Sequence, residues 1–438
     1  MKMRVQTGFI SIVALAMMGL AGCDHYVCSS GANFGGTACT SSGSGLGTQG
    51  SGGSATAAFV FVADAAGTGS AGTIDGYTLN TTASTFGATP SYVAPTTPLN
   101  DSGVGMVVAQ EKYLYTGYGS TLQIFGWTIG TDGSLTAVSG SPYSAPFMDF
   151  VATGFGTQNL ATNPAGTLLF FSAFGSPHDD IYVYQIGAGG ALTAVSGSPF
   201  SAPFVGNLAT DGLGNYLYLT QALDDHTGSA VAAFAIATTG ASAGALTPVV
   251  GSPFTGVDYK MWQVQGEPTG KFLIGTSGNS AATGFSGTDD DHLYVFSIAQ
   301  SGADAGAITP VSGSPFATQS SPLSIAVQPN ASGNLVYSFG LADNDLAFNP
   351  VEGYTISSTG TLTAASGSPF TAAALGDLGA FDQSGAFLFT YGGVIDSSTQ
   401  VVSYQMGAFS VASGGALTEP TSTLSLTSGG FFAVTDPQ

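Results

Sequence analysis

SLTAVSGSPY at residues 134–143 returns as ALTAVSGSPF at 191–200, ALTPVVGSPF at 245–254, AITPVSGSPF at 307–316 and TLTAASGSPF at 361–370. A degraded copy, ALTEPTSTLS, occupies 416–425. The Gly of Gly-Ser-Pro recurs every 54 to 62 residues, at Gly140, Gly197, Gly251, Gly313 and Gly367. A fixed long period signals an array of supersecondary units.

Working outward from this phrase, each period contains three further strand-like pieces. An apolar run with aromatics occurs seven times, including KYLYTGY from Lys112, NYLYLTQ from Asn215 and AFLFTYG from Ala386. The next piece ends in an aromatic, a small or polar residue and an apolar residue. Tyr77-Thr78-Leu79, Tyr184-Gln185-Ile186 and, in the last unit, Tyr404-Gln405-Met406 are examples. Alternation puts the aromatic and the final apolar residue on one face of a strand, where they pack between sheets. The Pro of the phrase cannot donate to a ladder, so the phrase suits an outer strand and the turn leaving it. The piece that opens each unit is found six times, as GVGMVVAQ from Gly103, QNLATNP from Gln158, GNLATDG from Gly206, WQVQGEP from Trp262, LSIAVQPN from Leu323 and LGAFDQS from Leu378. The first unit lacks it, but GGFFAVTDPQ at 429–438 matches its pattern. The reading is all-β: a seven-bladed β-propeller of four-stranded antiparallel blades, closed by the C-terminal strand joining the first blade.

Of 438 residues, 44% are hydrophobic, 65 are Gly and only 7% are charged. Lys2 and Arg4 precede an apolar run, Gly8–Leu20, ending in Leu20-Ala21-Gly22-Cys23. This resembles the signal and lipobox of bacterial lipoproteins, which implies cleavage before Cys23 and lipidation of that residue. Residues 1–22 are read as the signal peptide, 23–54 as the lipidated Cys with a Gly/Ser-rich tether, and 55–438 as the propeller. The expected address is the cell envelope, extracytoplasmic, with the lipid in a membrane. Cys28 and Cys39 are read either as a disulfide or as two free thiols. The mature chain would carry 3 Lys, no Arg and 26 acids, a net charge of −23. That speaks against nucleic acid or an anionic membrane surface as a partner, since both need Lys and Arg. A monomer is expected.

The repeat resembles the seven-bladed propeller lactonase family, which includes 6-phosphogluconolactonase-like proteins. The resemblance carries G-x-L-T-x-x-x-G-S-P-F with the short strands before it and spans the whole array. It implies hydrolysis of a lactone. Sugar-phosphate and acid-lactone members are expected to use basic residues, especially Arg, at the channel. A mature chain without Arg points instead to a small neutral or sugar-derived lactone. The alternative is a non-catalytic propeller that binds a protein or glycan at the envelope.

Loops from fourth to first strands and the starts of first strands face the channel mouth of a propeller. They supply Asp149, Gln158, Asn159, Asn207, Trp262, Gln263 and Asp377 as substrate-binding candidates. Lactone hydrolysis needs a base or metal to activate water and a donor for the oxyanion. Asp258 with Lys260, beside Trp262, is the candidate catalytic group; a surface ion pair is the competing explanation. Loops between second and third strands hold His178-Asp179-Asp180, Asp224-Asp225-His226 and Asp289-Asp290-Asp291-His292 in adjacent blades. They are read either as turn residues bonding their own backbone or as an acidic rim for Ca²⁺ or another divalent ion.

Overall fold

The computed structural model describes residues 57–435 apart from 65–72, 81–84, 89–91, 94–104, 119–122, 145–158, 174–178, 221–229, 257–260, 277–290, 330–333, 342–350, 371–377, 396–401, 419–422 and 427–431. The expected signal, Cys23, Cys28, Cys39 and the tether lie outside the described residues.

Short β-branched and aromatic runs broken by Gly-rich turns give seven antiparallel sheets. In blade 3 the order is Leu160–Thr162, Leu168–Ala173, Asp179–Ile186 and Leu192–Ala194. Blades 2, 4, 5, 6 and 7 repeat it, beginning at Met106–Ala109, Leu208–Thr210, Val264–Gly266, Ser321–Val327 and Leu378–Phe381. Blade 1 is completed from the far end of the chain. Phe432–Thr435 pairs antiparallel with Ala57–Asp64, with Val60 opposite Val434 and Phe61 opposite Ala433. Each first strand also approaches the first strands of both neighbouring blades, and Phe432–Thr435 lies between those of blades 7 and 2. The circuit is closed.

Seven hydrophobic clusters fill the seven seams between blades. Between blades 2 and 3, Tyr113, Tyr115 and Val138 meet Leu169, Phe171, Tyr182 and Tyr184. Phe59, Phe61 and Ala433 of blade 1 meet Phe125 and Trp127 of blade 2. Burial pushes the Tyr184 hydroxyl up to about 12. The hairpin between third and fourth strands locks three of the seams: Tyr115 donates to the Gly190 carbonyl at 2.6 Å, Tyr218 to Gly306 at 3.0 Å and Tyr337 to Gly415 at 2.7 Å. Gly190 has φ +80°, and a Cβ there would lie 2.6 Å from the Tyr113 ring, so conformation and space both require glycine.

The recurring phrase has a structural explanation. The Thr in Leu-Thr-Ala sits on the outer strand, and the chain then turns through Gly-Ser-Pro, with a cis Ser–Pro bond at all five copies. The aromatic that follows begins a second short segment on the same third strand, as with Phe200–Ala202 against Asp179–Ile181. The turn leaves one third-strand N–H between the two segments without a backbone partner. The phrase's Ser supplies it: Ser141, Ser198, Ser252, Ser314 and Ser368 Oγ accept from Gly126, Val183, Ala233, Val295 and Gly353 N–H at 2.9 to 3.0 Å.

One expectation is corrected. In blade 7, Val411 N–H donates to Ala386 O, as Ile186 N–H does to Thr167 O in blade 3. The aromatic triad of blade 7 is therefore Phe409-Ser410-Val411. Tyr404 and Met406 lie five residues earlier, and an odd offset turns them to the opposite seam, with blade 1. The cause is a long third strand, Val402–Val411.

Tight turns join first to second strands at the lower end of the blades. Asp211 Oδ1 accepts from Asn215 and Tyr216 N–H, and Asn163 holds the same turn of blade 3 through Thr167 and Leu168 N–H. Burial raises the Asp211 carboxyl above its usual range despite these donors. The folded protein thus holds this proton more tightly than the unfolded chain. Asp211's contribution to stability is fullest below the unfolded carboxylate value and falls as pH rises through the raised one. Asp211→Asn keeps the acceptor that serves blade 3, so its melting temperature should match wild type near pH 4 and exceed it at pH 7. Thermal melts across that range check this.

Candidate functional site at the upper ends of the inner strands

Starts of first strands, ends of second strands and starts of third strands share the upper end of each blade. The apolar second-strand runs of blades 2 to 5 close on a hydroxyl: Thr116, Ser172, Thr220 and Thr276, all fully buried. In blades 3, 4 and 5 this hydroxyl donates to the next blade, Ser172 to Gly206 O at 2.7 Å, Thr220 to Trp262 O at 2.7 Å and Thr276 to Leu323 O at 3.4 Å. Asn207 Nδ2 adds a bond to Trp262 O at 2.6 Å, and Gln263 Oε1 accepts from Ile325 N–H at 2.8 Å. A polar belt therefore runs from blade 3 to blade 6.

The structure brings four candidates together on this belt. Asn159, Asn207 and Gln263 hold equivalent positions before the first strands of blades 3, 4 and 5, and Trp262 precedes Gln263; all four are buried. Asn207 and Gln263 make the scaffold bonds given above. Asn159 Oδ1 and Trp262 Nε1 are buried polar atoms with no hydrogen-bond partner. One is an acceptor and the other a donor. Asp149, Gln158, Asp258, Lys260 and Asp377 lie outside the described residues.

The belt's own side chains are uncharged, while the carboxylates of Asp179, Asp180, Asp291 and Glu352 share the upper end with them. The two described lysines, Lys112 and Lys271, sit in lower-end turns, so among the described residues the upper end carries no Lys or Arg.

Of the acidic-rim candidates, Asp179, Asp180, Asp291 and His292 are described. Asp179 and Asp180 begin the third strand of blade 3, where Asp180 is 9% exposed; burial, helped by the Asp180 charge, raises the Tyr182 hydroxyl. Asp291 lies two blades away and accepts from Ser321 Oγ at 2.6 Å. Among the described residues no group of three or more His, Cys, Asp or Glu gathers as a metal centre. His178, Asp224, Asp225, His226, Asp289 and Asp290 lie outside them.

Sequence reasoning missed a polar seam between blades 5 and 6. Glu352 is 2% exposed. Its Oε1 accepts from Gln319 N–H, Ser320 N–H and Ser320 Oγ at 2.9 to 3.1 Å, and its Oε2 from the Tyr354 hydroxyl at 2.7 Å. Ser338 lies opposite it in register, buried, with its hydroxyl unpartnered. The signal was present: Glu352 stands where blades 2, 3 and 5 carry Phe125, Tyr182 and Tyr294.

No protein-family model matches the chain, and no curated protein matches it in sequence. Its fold does match solved structures. A proposed 6-phosphogluconolactonase from Bacteroides uniformis superposes with a TM-score of 0.59 at 13% identity, over 86% of this chain and 99% of that one. The periplasmic gluconolactonase of Pseudomonas aeruginosa gives 0.57 at 16% identity, over 86% and 99%. A functionally unknown protein from Desulfotomaculum acetoxidans gives 0.55 at 13%, over 87% and 99%. With seven blades, a ring closed by the C-terminal strand and these neighbours, the chain has the fold of the lactonase-like seven-bladed propellers.

Proposed function

We propose that this protein is an envelope-anchored lactonase-like propeller that hydrolyses a small neutral or sugar-derived lactone at the upper end of its inner strands. The supporting observation is the pair of buried, unpartnered atoms on the belt, Asn159 Oδ1 and Trp262 Nε1. A buried polar group without a partner costs about 1–3 kcal/mol, and a neutral hydroxylated ligand offers both the donor and the acceptor these atoms lack. Likeness to named lactonases and the absence of Lys or Arg from the described upper end agree with this reading. Asp258 and Lys260 enter from sequence alone. They immediately precede Met261-Trp262, where the described chain resumes, and would supply the base and its charge partner. Anchoring enters through Leu20-Ala21-Gly22-Cys23, and Cys23→Ala should release the protein from membranes.

The test is turnover by the purified mature protein on a panel of neutral and sugar-derived lactones, with Trp262→Phe as the probe. Loss of one N–H donor should lower kcat/KM about tenfold, the equivalent of about 1.4 kcal/mol. No turnover on any lactone retires the hydrolase. A glycan that then perturbs Trp262 fluorescence would support a binding propeller instead.

A further inference from the structure

The turn joining the first and second strands of blade 2 differs from its counterparts. Blades 3, 4, 5 and 7 place a positive-φ glycine there, at Gly166, Gly214, Gly270 and Gly385. Each also has an acid or amide, Asn163, Asp211, Glu267 or Asp382, accepting its own turn's N–H groups. Blade 2 has neither device. Its turn, Ala109 to Lys112, is closed by Lys112 N–H on Ala109 O, and its central residues Gln110 and Glu111 both have φ +53°. Two consecutive left-handed central residues mark a mirror-image hairpin turn, which favours Asn-Gly. Long side chains there are disfavoured, and a strained backbone persists only where its surroundings hold it.

The side chains show what holds it. Gln110 Nε2 donates to the Gly166 carbonyl of blade 3 at 2.9 Å. The Glu111 carboxylate accepts from Thr435 Oγ1, the last described residue of the closing strand. Thr435 is fully buried. One turn therefore reaches both neighbouring blades, and on one side it grips the strand that completes the ring.

We infer that Gln110–Glu111 is a ring latch, a turn kept in a costly conformation because it lets Glu111 hold the last described residue of the closing strand. An extra bond at the end of a short strand acts where fraying begins. The latch slows opening of Phe432–Thr435 ahead of any other blade.

Hydrogen exchange of the full mature protein tests this. In Thr435→Val, which keeps shape and removes the hydroxyl, amides of 432–435 and 57–64 should exchange at least tenfold faster, with those of 264–298 unchanged. Thr435→Ser should restore protection. Because both remove the same bond, adding Glu111→Ala to Thr435→Val should accelerate exchange by much less than the sum of the two single effects. Replacing Gln110-Glu111 by Asn-Gly should also speed opening, although the turn itself then suits its conformation. Unchanged exchange in Thr435→Val, a double variant whose effects add, or slower opening with Asn-Gly would each overturn the latch.

Discussion

Ending the chain at Gly430 will abolish cooperative folding. The lost strand carries buried Ala433 and Thr435, and Phe432, whose ring lies 5.9 Å from Tyr391 across the seam with blade 7. Its removal also uncovers one edge of Ala57–Asp64, whose Phe59, Val60 and Phe61 are at most 3% exposed. Lost apolar burial alone is worth about 5 kcal/mol, comparable with the whole stability of many domains. The exposed strand is long and apolar, the kind of edge that pairs with another chain. Circular dichroism should show no sharp melting transition, and size exclusion should show aggregates or strand-exchanged oligomers. A truncated monomer that melts as the intact protein does would mean that the C-terminal strand closes nothing.

The second large effect is expected at Glu352. Its carboxylate meets four donors inside a seam that it shares with Ser320, Ser338 and Tyr354. Glu352→Ala would leave two N–H groups and two hydroxyls without their acceptor, in a site too enclosed for bulk water to replace it. A loss of about 3–5 kcal/mol follows from breaking a buried, charged network of this kind. Glu352→Gln preserves an acceptor oxygen for Ser320 and Gln319, so it should cost less than half as much. Denaturant titrations of the two variants distinguish these values. Equal, small effects would show that the seam is held by its apolar neighbours, such as Ile325, Val336 and Leu362.

The ring was legible because it rests on period and count. Six copies of the opening piece, seven of the next two and one displaced copy at 429–438 allow few other closed arrangements. Local chemistry made the turns legible too, since Gly-Ser-Pro recurs where the outer strand is interrupted in blades 2 to 6. Strand length was not legible in the same way. A longer third strand in blade 7 moved the aromatic triad to Phe409, and one odd shift put Tyr404 on the wrong face. Site chemistry was harder still. Asn207 and Gln263 look like ligand-facing polar residues in the sequence, yet they spend their polar atoms joining blades. Nothing in a single unit announces such a bond, because its partner lies in the next unit. Thr116, Ser172, Thr220 and Thr276 could have been noticed as hydroxyls ending apolar runs, and Glu352 as an acid where its register neighbours are aromatic. Each needs the units aligned by strand register, which the phrase alone does not supply.

The central claim, that the chain's end completes its first blade, is tested most directly by cross-strand cysteine pairs in a background without the three natural cysteines. Val60/Val434 and Phe61/Ala433 are successive register pairs, so one of them is the closer, non-hydrogen-bonded kind that a disulfide can span. Oxidation should give an intramolecular disulfide in one of these two pairs, in a monomer with the melting temperature of the parent or higher, and none in the out-of-register pair Val60/Ala433. A disulfide that forms only between molecules, or only out of register, would contradict the closed seven-bladed ring.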